Sequence, residues 1–277
     1  MKSAKRTFYV LLPLLLAAFV VYSLLWGRLL AFSPWVFGFQ HRDTDRARIY
    51  FHEGVDVEQF GEIDRWVEAV EEWHDLKFKR RAEVFVCASD AEHKRLGGSK
   101  ARFRALPLYG RLFVSKRAQE DAKAGEIHLD VYVRHELSHS LVFQNTTLRN
   151  TLRLPEWLLE GLAVLSAGQL GVDGYYTKAE VRDKMREGYF LDPGDFSTRP
   201  GPKARAISDF PLPNKYWFIY AELACFIDDL IRIQGKDAFN TLLRNYMEGI
   251  SPETNFQSVY GKSFDACVED FRKRMVE

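Results

Sequence analysis

The stretch HELSH, His135-Glu136-Leu137-Ser138-His139, together with the later PEWLLEG, Pro155 to Gly161, decides how this chain is to be read. On a helix, residues four apart lie one above the other on a single face. His135 and His139 therefore present two imidazoles to one metal ion, with Glu136 standing beside it to take a proton from water. With 7 histidines in 277 residues, such a motif arises by accident in about one chain in a hundred. The surrounding chain must therefore support it. Without a metal, both histidines and Glu136 would be ordinary residues of an amphipathic helix.

A catalytic zinc site takes three protein ligands and keeps one position open. Within PEWLLEG, Glu156 and Glu160 are four apart on one helical face, and spacing alone does not choose between them. Pro155 suits the first helical turn, which puts Glu156 near a solvated end. Glu160 lies one turn deeper, followed by Gly161, a residue small enough for another backbone to approach. The metzincin pattern HExxHxxGxxH fails, because Val142 and Asn145 stand where it needs Gly and His. An intramembrane site fails as well: HELSH is polar, close to His128 and Arg134, and distant from the apolar amino terminus.

Composition fits a folded protein with a sizeable core, 47% hydrophobic and 28% charged. A net charge of +1 and no long basic run exclude an electrostatic footprint for nucleic acid. Cys87, Cys225 and Cys267 have no CxxC spacing and suggest neither a zinc ribbon nor a disulfide framework.

The amino terminus departs from this. Lys2, Lys5 and Arg6 precede an uncharged apolar run from Phe8 to Gly27, long enough for one helical bilayer crossing. It reads as an anchor: the run exceeds a usual signal-peptide core, and cleavage after Ala31 and Ser33 would meet Pro34. Arg28, Arg42, Arg46 and Arg48 partly balance the charges ahead of the run, so the positive-inside rule barely decides orientation. A short basic tail before the first span resembles a signal anchor, which places the rest of the chain in a bacterial periplasm. The expected divisions are a tail and transmembrane anchor over 1–28, a juxtamembrane linker over 29–46, and one folded domain over 47–277. Trp35, Phe37 and Phe39 of the linker suit either the membrane interface or docking on the domain.

Along that domain, ARIYFHE (Ala47 to Glu53) alternates like a strand and Val57 to Leu76 has helical spacing. AEVFVCA (Ala82 to Ala88) and RLFVS (Arg111 to Ser115) are two more strands. Ser89 and Glu92 form a capping box for a short helix closed by Gly97 and Gly98. The HELSH helix is expected to start near Asp130, acting as its cap. Phe190 to Pro213 predicts a long irregular connection, a candidate lid. Helices follow over Asn214 to Gln234, Asp237 to Met247, from Ser251-Pro252, and from Ser263 to the end.

HELSH, LPEWLLEGLAV and YAELACFIDDLIRIQG together resemble the gluzincin zinc metallopeptidases, and most the bacterial peptidase MA-like group. The resemblance runs from about Arg48 to the end and is strongest over His135 to Ala163. It implies a zincin-like α+β fold: a small mixed sheet with helices, then a mainly helical part, here after one transmembrane helix. It implies one Zn2+ ion held by His135, His139 and Glu160, with Glu136 as general base. It implies a phenol at Tyr220, with Tyr216 one turn earlier as fallback, donating to the developing oxyanion. It also implies that Leu112 to Ser115 is an edge strand aligning an extended peptide. One departure stands out: where some gluzincins have an acidic partner four residues past the ligand glutamate, this chain has Val164, so the acceptor for His135 is open.

The expected function is a membrane-anchored zinc peptidase acting on peptides or proteins. The alternative is an anchored domain that keeps the zinc site for stability or binds peptides without cutting them. Specificity, endo- against exopeptidase action and oligomeric state are not encoded in these patterns.

Overall fold

The structure, a computed structural model, describes residues 2–198 and 201–277. Five strands form one mixed sheet: β1 (Gln40–Asp43), β2 (Ala47–Phe51), β3 (Ala82–Val86), β4 (Phe103–Leu106) and β5 (Arg111–Val114), in the order β1-β2-β3-β5-β4. β2, β3 and β5 run parallel, and β1 and β4 pair antiparallel at the two edges. Helices α1 (Lys2–Trp26), α2 (Ile63–His74), α3 (Asp90–Gly97), α4 (Lys116–Lys123) and α5 (Leu129–Asn145) belong to this half. The rest is helical: α6 (Leu148–Thr151), α7 (Glu156–Ala167), α8 (Lys178–Arg186), α9 (Pro202–Asp209), α10 (Lys215–Gln234), α11 (Lys236–Glu248), α12 (Pro252–Tyr260) and α13 (Phe264–Val276). The architecture is α+β, with the mixed sheet first and the helical part second.

Strand alternation divides the sheet cleanly. Ile49, Val84, Val86, Leu112 and Val114 face α2 and α5, whose Val67, Val70, Val133 and Leu137 complete one buried cluster. Tyr50, Phe85 and Phe113 face the other way and stack across three strands, with ring centroids 4.5 and 4.9 Å apart. A central strand buried on both faces must be apolar throughout, which is why Ala82 to Val86 reads as a nearly continuous hydrophobic run. The helical half has its own core, in which α7 packs between α5 and α10. Gly161 makes that approach possible: a Cβ there would stand 2.7 Å from the Leu223 carbonyl oxygen on α10.

Residues 40–43, expected as linker, form the edge strand β1, and β4 was not expected either. β1 (QHRD) is wholly polar and β4 (FRAL) is only four residues long, so neither shows the sustained apolar alternation by which strands are read. Another difference concerns β5. It is an inner strand between β3 and β4, so the edge facing the helices is β4 and not Leu112 to Ser115. The β4–β5 turn closes on α5 at Gly110, whose φ is +63° and whose missing Cβ would meet the Ser140 carbonyl at 2.6 Å.

Among the described residues, no helix is both long and apolar enough to cross a membrane. The first residues of the expected span, 8–10, lie outside those whose side chains are described. From Leu11 to Tyr22 the apolar side chains of α1 are exposed, so this segment is not a core helix. The connection over 190–213 contains a 3-10 turn (Pro193–Asp195) and α9. Leu191, Phe196, Ile207, Phe210 and Leu212 bury themselves in the helical core. Residues 199–200, in its middle, are outside the described ones.

Candidate metal centre

α5 begins at Leu129. The residue before it, His128, donates its backbone N–H to Asp173 Oδ2 at 2.7 Å. Asp130, expected as the cap, instead accepts from Arg134 Nη2 at 2.9 Å one turn on. Leu137 and Leu141 fix the roll of α5 by entering the sheet-side core. The opposite stripe, His135 and His139, then faces α7. Its partner on α7 is Glu160.

His135 Nε2, His139 Nε2 and Glu160 Oε2 form a nearly equilateral triangle, with separations of 3.2 Å between the histidines and 3.3 and 3.5 Å to the carboxylate. Two donors each about 2.0–2.2 Å from a tetrahedral zinc ion stand about 3.3–3.6 Å apart. The three atoms thus fit one zinc ion, and two imidazoles with one carboxylate suit its borderline softness. Both histidines are buried, at 7% and 8% exposure. Burial opposes charge on Glu160, yet the imidazoles of His139 and His135 against it hold its carboxyl well below the usual range. His139 moves the other way: burial disfavours its proton, and the Glu160 carboxylate outweighs this and raises it.

The choice between the two glutamates of PEWLLEG falls to helix depth. Glu156 opens α7 and accepts from the Thr198 backbone N–H at 2.7 Å and hydroxyl at 2.6 Å, and from the Ser197 hydroxyl at 3.1 Å. It pins the long connection to the rim of the site. Glu160, one turn deeper, meets the histidines.

Sequence reasoning missed the acceptor for His135. His135 Nδ1–H donates to Gln169 Oε1 at 2.9 Å, which fixes the tautomer with its lone pair on Nε2, toward the triangle. Gln169 follows a Schellman motif at the end of α7: Gly168 N–H bonds to Leu165 O, Gln169 N–H bonds to Val164 O, and Gly168 is left-handed at φ +66°. The signal was a glycine ending an apolar helix with a polar residue after it. His74 was missed too. This fully buried residue of α2 donates from Nδ1 to the Val70 carbonyl, so its Nε2 accepts from the Ser138 hydroxyl at 2.9 Å. It clamps α2 to the turn of α5 between His135 and His139.

Glu136 Oε2 accepts the Ala105 backbone N–H of β4 at 2.6 Å. This orients the carboxylate along the free edge of the sheet. The site opens into a cleft of about 600 Å³ between β4, α5, α7 and α10. Tyr220 is among the residues that line it. Its phenol is raised well above the usual range, first by burial and then by Glu160, Tyr175 and Glu136. Tyr175, from the loop before α8, also lines the cleft and is raised by burial, then by Tyr132, Glu160 and Glu136. Two protonated phenols thus face the carboxylates. Tyr216, the fallback, lines the cleft as well but is 54% exposed.

No family model matches the sequence, and no curated protein does. Solved structures with similarity include an M1 zinc metallopeptidase from Deinococcus radiodurans, at 16% identity and TM-score 0.43, covering 87% of this chain and 52% of that one. A glutamate-to-alanine variant of a two-domain M1 zinc metallopeptidase bound to L-arginine gives 17%, TM-score 0.48, and coverages of 86% and 52%. Such a variant from Deinococcus radiodurans, bound to a Tyr-Ser-Ala substrate, gives 16%, TM-score 0.47, and coverages of 87% and 51%. The chain spans about half the length of each.

Proposed function

We propose that this chain is a zinc-dependent peptidase, held to a membrane by its amino-terminal helix, with the cleft on the periplasmic side of a bacterial inner membrane. The observation that carries the enzymatic reading is the triangle of His135, His139 and Glu160 donors with Glu136 beside it, at the bottom of a cleft bounded by a free strand edge.

One zinc ion bound by those three side chains supplies Lewis acidity, polarising a carbonyl and lowering the pKa of water. Everything else falls to the chain. Glu136 takes the proton of the attacking water and passes it to the leaving amine nitrogen. Its engagement with Ala105 N–H keeps the carboxylate on the cleft side of α5. Tyr220, with Tyr175 beside it, remains protonated at neutral pH, because burial and nearby carboxylates disfavour phenolate. Such a phenol donates a hydrogen bond where negative charge develops on the carbonyl oxygen, worth about 3–4 kcal/mol of barrier by analogy with other oxyanion donors. The backbone of β4 offers main-chain pairing to an extended peptide without demanding a particular sequence.

The test uses the full chain in detergent. Elemental analysis should find about one zinc per chain, and near-zero zinc ends the metal reading. An unbiased peptide library is then incubated with the parent and with Glu136→Gln. Cleavage by the parent alone supports the peptidase; zinc retained with no cleavage by either protein establishes the non-catalytic alternative. Reporter fusions at the carboxyl end test orientation, and a cytoplasmic signal overturns the periplasmic placement.

A further inference from the structure

Between the first helix and the sheet, the chain forms a joint rather than a tether. The carbonyl of Trp26, at the end of α1, accepts from Arg95 Nη1 on α3. A 3-10 turn over Arg28–Phe32 follows, and its Leu30 and Ala31 are fully buried against the outer sheet face formed by Tyr50, Phe85 and Phe113. The Leu30 carbonyl accepts from Arg111 Nη1. Arg111 is itself only 2% exposed, and Glu83 neutralises it at 2.6 Å. Phe39 then turns inward and stacks on His52, with centroids 4.4 Å apart.

What this joint leaves outside is apolar. Trp26, Leu29, Trp35 and Phe37 are 44%, 38%, 63% and 49% exposed. At the exit of α1 the Trp26 indole is 6.1 Å from the Tyr22 ring, and its Nε1 would be 3.8 Å from a Cβ on Gly38, which brings the backbone next to Phe37 back to the end of α1. Through Trp26 and Tyr22 these exposed residues follow directly on the exposed apolar side chains of α1 from Leu11 to Tyr22. Arg28, between Trp26 and Leu29 in the chain, is exposed as well. Aromatic rings with an arginine, placed at the end of an apolar helix, have the chemistry of the bilayer interface, where indoles lie at headgroup depth and guanidinium groups reach phosphate.

We propose that Trp26, Leu29, Trp35 and Phe37 form a collar seated in the interfacial layer of a lipid bilayer, so that α1 and the folded domain ride the membrane as one rigid body. The proposal rests on the anchoring reading given above and adds a fixed seat to it. Leu106 connects the seat to function, since it packs on the same buried cluster as Leu30 and also lines the cleft. The cleft is therefore held close to the bilayer, which favours polypeptide segments running near the membrane surface as substrates.

The experiment places a nitroxide label at Trp35→Cys or Phe37→Cys in the full chain, in nanodiscs of phosphatidylcholine and phosphatidylglycerol. Native Cys87, Cys225 and Cys267 are buried, and the unsubstituted chain gives their background. Leu15→Cys reports on the anchor and Leu148→Cys, in the helical half, on water. The readout is collision with oxygen, which partitions into lipid, against collision with a water-soluble nickel chelate. The collar predicts ratios at 35 and 37 that lie between the high value at 15 and the low value at 148. Values at both sites equal to that at 148, with 15 still in lipid, overturn the collar and leave the anchor standing. A water-like value at 15 removes the anchor and the collar together. Shielding from both agents, with dipolar coupling between labels on two chains, assigns the patch to a second copy and also overturns the proposal.

Discussion

Replacing Gln169 by leucine isolates what its side chain does for the metal centre. Gln169 is fully buried, and its Oε1 accepts the His135 Nδ1 proton at 2.9 Å. Leucine matches the amide in size but offers no acceptor, so the Nδ1–H is left buried and unpaired when His135 ligates. Such an orphaned donor costs about 1–3 kcal/mol, which converts to about 5- to 150-fold in affinity. Losing an outer partner of a metal-bound histidine weakens metal binding by about 10–100-fold, so the two estimates overlap. The assay is competition for zinc between the full chain and a chromophoric chelator at neutral pH, with thermal unfolding of both proteins as a control on folding. Gln169→Leu should hold zinc at least about tenfold more weakly than the parent. A change of less than about threefold, with the fold intact, would refute the idea that this hydrogen bond presents the Nε2 lone pair to the metal.

Three further outcomes follow from burial and packing. Gly161→Ala in α7 should lower stability by about 1–3 kcal/mol in chemical denaturation because its Cβ meets the Leu223 carbonyl at 2.7 Å; the gain of up to about 1 kcal/mol usual for this change in an open helix would show that α7 and α10 are not so close. His74 has its pKa pushed down to about 3 by burial, so only the unfolded chain takes up its proton near pH 6.5. Stability should therefore fall from about pH 6.5 toward 3 by up to about 1.4 kcal/mol per pH unit, and a denaturation series in which His74→Leu keeps the full slope would rule this out. Glu222 behaves oppositely: burial raises its carboxyl well above the usual range, with the Leu191 N–H at 3.1 Å as partner. Here the folded state keeps a proton that the unfolded chain has lost, so stability declines as pH rises above about 4.5. Glu222→Gln should remove that decline and raise the melting temperature at mildly alkaline pH; an unchanged profile would mean that the group is solvated.

Much of the fold is legible in the amino-acid pattern. The apolar runs at Ile49, Val84 and Leu112 announce strands because a buried strand needs apolar side chains wherever it faces core. Ser89, Ser251 and Ser263 announce helix starts, and each accepts the expected backbone N–H. Only half of the Ser89–Glu92 box forms: the Glu92 side chain accepts from Ala88 N–H and pairs with His52 instead. Two short edge strands leave no trace in the pattern: β1 is wholly polar, as an edge strand bonded on one side tolerates, and β4 is four residues long, too short to show a period.

What the sequence determined by itself was local: HELSH on one helical face and Glu160 one turn into the PEWLLEG helix, because both follow from 3.6 residues per turn. It also determined that Gly161 lets a neighbour approach. Tertiary structure decided everything that depends on distance through space. It chose β4 rather than β5 as the strand beside Glu136, turned Glu156 toward Ser197 and Thr198, and supplied Gln169 and His74 to support the histidine pair. It turned the stretch after α1 from a linker into a joint welded by Arg95 and Arg111. Hydrogen bonds between residues 34, 64 or 81 positions apart leave no periodicity to read. They exist only once hydrophobic burial has brought the helices and the sheet together.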